Sequence, residues 1–171
     1  SLADILEQLR PDKLLPSTDA VPERFELGTL PYEIMAGATV AVDVIASLAP
    51  QGPSRRERLA AAHDLVHAHE LRLRQRIEAA LADLGDRVVL HSRAAERTPT
   101  LFFTLPGGDA RAVAAKLAAA DVLAPAGTFY AHEPFRALGL DVDVGIRVGV
   151  APYTDDSDVD RLLTGLGEAL A

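Results

Sequence analysis

Thr98-Pro99-Thr100-Leu101-Phe102-Phe103-Thr104-Leu105-Pro106-Gly107-Gly108-Asp109 is the stretch on which the fold turns. Residues 99–105 alternate in polarity and are rich in Thr and Phe, as expected of a strand with one covered face. Pro106 to Asp109 reads as a turn leading into a helix over about residues 110–119. Upstream, Val88-Val89-Leu90 reads as a short strand. Downstream, Asp121 to Leu123 and Asp143 to Val150 read as two more. Thr154 is expected to cap a final helix over about residues 155–170, with Asp155, Asp156 and Asp158 suited to its N-terminal dipole. The order from residue 86 is therefore β-β-α-β-β-α. It predicts an α+β layer with helices on one face of an antiparallel or mixed sheet.

The chain before residue 86 is organised differently. Residues 2–10 read as a short amphipathic helix ended by Pro11, and residues 11–30 as a Pro-containing loop. From Tyr32 to Leu48 the sequence is apolar except for Glu33, Thr39, Asp43 and Ser47, which predicts a helix buried on most of its surface. Ser54 and Glu57 form a capping-box pattern ahead of a long helix over about residues 55–84, closed by Gly85. Its apolar stripe is Leu59, Ala62, Leu65, Val66, His69, Leu73, Ile77, Ala80, Leu81 and Leu84, with Arg72, Arg74 and Arg76 on the outer faces. A loop, a buried helix and a long helix do not enclose a core, so the helix at 32–48 implies an obligate oligomer or a missing remainder.

The 171 residues carry 17 basic and 25 acidic side chains, a formal net charge of −8. That balance argues against a general nucleic-acid binder, which needs a basic face. The absence of cysteine excludes disulfides, thiolate metal sites and a thiolate nucleophile within this sequence. No apolar run is long enough for a membrane span, and the first residues do not read as a signal peptide, so a cytoplasmic location is expected.

No self-contained phosphate-loop, dinucleotide or hydrolase motif is present. His63 and His67 are spaced to chelate a metal, with Glu70 nearby, but no further ligands accompany them and no metal site is expected. Gly28-Thr29 ahead of a helix N-terminus suits a phosphate, with an ordinary cap and tight turn as the plainer reading of the residues alone. Arg147 stands inside an apolar strand, Val144-Gly145-Ile146-Arg147-Val148-Gly149-Val150. It could grip a carboxylate with two parallel hydrogen bonds, or serve as an edge residue or structural ion pair. Gly127 to His132 gathers aromatic, hydroxyl and imidazole groups in one loop, with packing of Phe129 and Tyr130 as the plainer reading.

These features occur together in one family. Arg24-Phe25-Glu26-Leu27-Gly28-Thr29-Leu30-Pro31 resembles the "RFE-x-GT" segment of class V aminotransferases and cysteine desulfurases. Gly145-Ile146-Arg147-Val148, then Tyr153-Thr154, then Asp158-Val159-Asp160-Arg161-Leu162 resembles that family's C-terminal signature, although the asparagine usual between Tyr153 and Thr154 is missing. The resemblance covers essentially the whole chain and implies the C-terminal part of a fold-type I pyridoxal-phosphate enzyme, usually a homodimer. It implies that residues 1–53 end the large cofactor-binding domain, 54–85 form a connecting helix and 86–171 form the small domain. It further implies that Gly28 and Thr29 reach the cofactor phosphate of the neighbouring subunit and that Arg147 holds the substrate's α-carboxylate. Tyr130 and His132 would line the entrance.

The Schiff-base lysine would lie in a missing N-terminal domain, Lys13 and Lys116 being poor substitutes, so this chain alone is expected not to catalyse. Ala131 sits near the place where desulfurases carry a sulfur-accepting cysteine, which sets persulfide chemistry on this loop in doubt. The alternative is a non-catalytic α+β interaction or dimerisation module that keeps the fold without the cofactor.

Overall fold

The structure, a computed structural model, describes residues 2–140 and 144–171. They form two compact units, 1–62 and 63–171.

In the first unit, α1 (Leu2–Gln8) is followed by a loop containing a 3-10 turn at Glu23–Phe25, then α2 (Tyr32–Ser47). The loop is held by Arg24. Its side chain is buried and donates to the Leu6 carbonyl at 2.9 Å and to Glu7 at 3.2 Å, with the guanidinium near the Phe25 ring. The helix expected at 32–48 forms, but its expected burial is not found. Ala46 is buried, whereas Tyr32, Ile34, Met35, Val40 and Val44 are exposed. Apolar residues run round the whole circumference of α2, and an all-round apolar helix needs cover on several sides. The described residues cover little of it.

The long helix α3 (Arg55–Asp83) starts where the Ser54 hydroxyl accepts the Glu57 amide at 3.2 Å. Glu57 returns to the Ser54 hydroxyl, so the cap forms with a different second bond from that of a full capping box. The helix closes at Gly85, which has φ +59°.

The second unit holds a four-stranded antiparallel sheet of β1 (Val89–Leu90), β2 (Thr100–Thr104), β3 (Ala126–Gly127) and β4 (Gly145–Gly149), in the order β1-β2-β4-β3. The alternation of residues 99–105 turns Leu101, Phe103 and Leu105 to one face, where they meet Ile146, Val148 and Val150. Leu73, Ile77 and Leu81 of α3 complete this core together with α4 (Ala110–Ala119) and α6 (Asp156–Ala169). The other face of β2 carries Phe102. Phe135, on a short helix α5 (His132–Ala137) that the sequence reading missed, packs against it with ring centres 5.3 Å apart.

Four expectations are corrected. Residues 121–123 are not a strand. Asp121 takes φ +58° and the Val122 amide donates back to the Leu117 carbonyl at 2.9 Å, so this segment terminates α4. The strand lies later, at Ala126–Gly127. Thr154 does not cap α6. Its hydroxyl accepts the Ala151 amide at 2.9 Å, and Asp155 forms a capping box with Asp158. Leu65 of the expected stripe is exposed. Arg74, expected on an outer face, is buried between Glu78 and the Arg97 carbonyl, because the loop at 91–99 folds over that side of α3. Asp143, where the last strand was expected to begin, lies outside the described residues.

The start of α6 makes folding sensitive to acid. The Ser157 hydroxyl and the Asp158 amide hold Asp155 below the usual carboxylate range, and Arg72, with Arg76 adding, does the same for Asp156. Folded carboxylates that resist protonation contribute stability above their unfolded pKa, and lose it as pH falls through the folded value. The urea midpoint is therefore expected to drop from about pH 5 downward. Asp155→Asn keeps a cap acceptor that cannot titrate, and is expected to flatten part of that drop in parallel melts.

Candidate functional site

The candidate residues divide between the two units. Gly28 and Thr29 belong to the first. Gly28 takes φ +76°, which favours glycine, and a Cβ there would meet nothing within 4 Å, so the requirement is conformational. Thr29 is exposed, and no side chain caps the N-terminus of the 16-residue α2 that follows. The Tyr32 and Ile34 amides at the start of α2 are taken up by the Leu30 and Pro31 carbonyls, each at 2.9 Å, so the exposed Thr29 hydroxyl is the donor here that fits a phosphate.

Arg147 belongs to the second unit, on β4, paired in register with Phe102 of β2. The strand alternation that buries Ile146 and Val148 turns Arg147 outward on the face opposite the core. Among the described residues it has no ion pair, so the structural ion pair entertained from the sequence is not formed there. Its guanidinium carbon lies 4.2 Å from the centre of the Phe129 ring. Such a position attracts the cation electrostatically while leaving its N–H edge available.

The surroundings are aromatic. Phe102 meets Phe129 edge-on, ring centres 6.3 Å apart, and His91 at 5.6 Å. A Cβ on Gly145 would lie 2.3 Å from the Phe102 ring and 2.9 Å from the Phe103 carbonyl, so glycine is required for the ring to cross β4. A cavity of about 200 Å³ opens here, lined chiefly by Phe102, Phe129, Pro134, Phe135, Leu138 and Arg147. Arg147 supplies its fixed charge. His91 lies at the sheet's edge of this cluster, hydrogen-bonded with the Thr104 hydroxyl at 2.9 Å. Burial lowers its pKa, with Arg93 adding to the effect, so it is neutral at neutral pH.

The loop expected to gather functional groups does so in part. Phe129 and Tyr130 both take left-handed backbone conformations, φ +52° and +60°, within a turn closed by the Ala131 amide on the Thr128 carbonyl at 2.9 Å. Two successive non-glycine residues in that region are strained and held by context. Phe129 turns toward Arg147. Tyr130 is 97% exposed, His132 is exposed at the start of α5, and neither lines the cavity. Phe102 and Phe129 were not named as site residues from the sequence. The alternation of β2 was the available signal for Phe102, whereas nothing local announced that Phe129 would fold over the arginine.

His63 and His67 are exposed, and among the described residues no group of three or more His, Cys, Asp or Glu side chains is placed to hold a metal. Lys13 donates to the Ser17 carbonyl at 2.6 Å and pairs with Asp19, and Lys116 is exposed on α4. No helix among the described residues is long and apolar enough to cross a membrane.

The sequence model of a family described as aminotransferase class-V matches residues 13–162. The chain is 30% identical over 147 residues to an uncharacterised protein of Mycobacterium tuberculosis, covering 85% of this chain and 36% of that protein. It is 31% identical over 149 residues to a probable cysteine desulfurase of Pseudomonas putida, covering 87% and 33%. In structure it superposes on a cysteine desulfurase from Escherichia coli with a TM-score of 0.70 at 25% identity, covering 90% of this chain and 34% of that one. The fold is shared also with a cysteine desulfurase from Thermococcus onnurineus, TM-score 0.71 at 20% identity, covering 94% and 37%. The chain thus spans about a third of the length of these relatives.

Proposed function

The chain belongs to the class-V aminotransferase family, and from that premise we propose that it is the C-terminal part of a pyridoxal-phosphate enzyme acting on an amino acid. The observation that carries this reading is Arg147, a cation held on an aromatic ring with no ion pair among the described residues. In this reading residues 1–53 close the large domain, residues 54–85 connect, and residues 86–171 form the small domain that grips the substrate. The exposed apolar side chains of α2 then belong against the remainder of the large domain, in a homodimer.

Gly28 and Thr29 would hold the phosphate end of the cofactor, which when bound supplies an electron sink for charge developing at the amino acid's Cα. The chain's own contribution is binding and orientation. Arg147 presents two parallel N–H donors to the α-carboxylate, fixing the amino acid so that one bond at Cα is aligned for cleavage. The aromatic wall excludes water on one side and so strengthens that ion pair. Tyr130 and His132 would flank the entrance. Lys13 is engaged with the Ser17 carbonyl and Asp19 and Lys116 is exposed on α4; in this reading the lysine that carries the cofactor belongs to the longer protein.

The test is spectroscopic. The longest native product, loaded with pyridoxal phosphate, is expected to show a visible absorption band that changes when amino acids are added. If that product takes up no cofactor, the alternative module, a binding surface without catalysis, becomes the better reading.

A further inference from the structure

Arg147 is exposed, and a long flexible guanidinium on an open sheet face loses entropy when it must meet a ligand in one orientation. Something must hold it beforehand if it is to bind efficiently. The structure supplies a chain of contacts that could do so. Gly145 leaves room for the Phe102 ring, Phe102 meets Phe129 edge-on, and the Phe129 ring lies 4.2 Å beneath the Arg147 guanidinium carbon. Phe135 backs Phe102 from α5. The backbone of Phe129 adopts φ +52°, a conformation that no glycine relieves, and this conformation accompanies the ring's approach to the arginine.

We propose that Phe129 is a positioning residue for Arg147. Its ring, set by Phe102, holds the guanidinium by one face and leaves the N–H edge presented to the carboxylate of an amino acid. The inference rests on the reading that Arg147 binds that carboxylate. It adds that the strained loop between β3 and α5 sets substrate affinity through an aromatic side chain, without contributing a reacting group.

A stacked cation at an exposed position such as this gains about 0.5–1 kcal/mol, which corresponds to roughly 2- to 5-fold in affinity. Phe129→Leu removes the ring and keeps a non-glycine residue, so the backbone penalty is unchanged. In the full-length, cofactor-loaded enzyme this variant is expected to raise the amino-acid KM by about 2- to 5-fold while saturating turnover stays essentially unchanged, because binding is lost equally in ground and transition states. Phe129→Tyr, which keeps the π face, is expected to restore the wild-type KM. In an Arg147→Ala background Phe129→Leu should add nothing.

An unchanged KM in Phe129→Leu, with Arg147→Ala impaired, overturns the inference and leaves the carboxylate reading intact. An equal further loss on the Arg147→Ala background overturns it too, by assigning Phe129 to structure alone. If Arg147→Ala is itself without effect, the carboxylate reading fails, and proton NMR of the 171-residue chain still decides the contact. Arg147 side-chain protons over the ring should resonate upfield and move back in Phe129→Leu, and unshifted protons in the native chain would overturn the stacking.

Discussion

Arg147→Ala in the full-length enzyme is expected to lower kcat/KM for the amino acid by about 10²- to 10³-fold. Two hydrogen bonds to a charged carboxylate contribute about 1.5–3 kcal/mol each, and every 1.4 kcal/mol is tenfold. The estimate takes the lower half of that range because Arg147 stands on an exposed face where water competes. Arg147→Lys is expected to recover only part of the loss. An ammonium is a point charge without the planar fork, and it stacks less well on Phe129. Loss of the arginine should leave folding untouched, since its side chain contributes nothing to the core. The measurement is steady-state kinetics on amino acids alongside urea unfolding of the same variants. Equal kcat/KM for Arg147→Ala and wild type would remove the substrate-binding role.

Phe103→Ala should cost about 3–5 kcal/mol of stability, a large share of what a domain of this size has. Phe103 is fully buried, in register with Leu90 on one side and Ile146 on the other. It stands among Leu73 and Ile77 of α3 and Val159, Leu162 and Leu166 of α6 in one cluster. Removing its ring opens a cavity between elements that are distant in sequence and can relax only partly. Phe102→Ala, one residue along and on the opposite face, should cost less, because Phe102 is only half-buried. The comparison of urea midpoints reads the two faces of β2 directly. Equal losses at the two positions would contradict the face assignment.

How much of this was legible beforehand follows from the range over which each signal acts. The alternation at 99–105, the turn at 106–109 and the capping patterns at Ser54 and at 154–158 are local, and they announced β2, α4, α3 and α6 with small errors at the ends. Where two local signals competed, the structure chose. Thr154 and Asp155 could each cap α6, and Asp155 does, while the Thr154 hydroxyl accepts the Ala151 amide. Residues 121–123 had strand composition, yet the left-handed Asp121 closes α4 there.

The candidate site divides in the same way. That Arg147 is a charged residue in an apolar strand flanked by glycines is visible in the sequence, and so is the resemblance of its surroundings to one family. Its outward face follows from the period of the strand. That Phe129 lies under its guanidinium is set by the left-handed turn at 128–131. The requirement for Gly145 comes from Phe102, 43 positions earlier and two residues along the neighbouring strand.

By itself, then, the sequence determined most of the elements, though not β3 or α5, together with the faces of β2 and β4 and the family, because these depend on periodicity, capping and motif order. Tertiary structure decided which side chains of different elements meet: Phe102 with Gly145, Phe129 with Arg147, and Arg74 with the Arg97 carbonyl. The physical reason is that packing and electrostatic contacts depend on separations in space, which hydrophobic patterning along one segment does not encode.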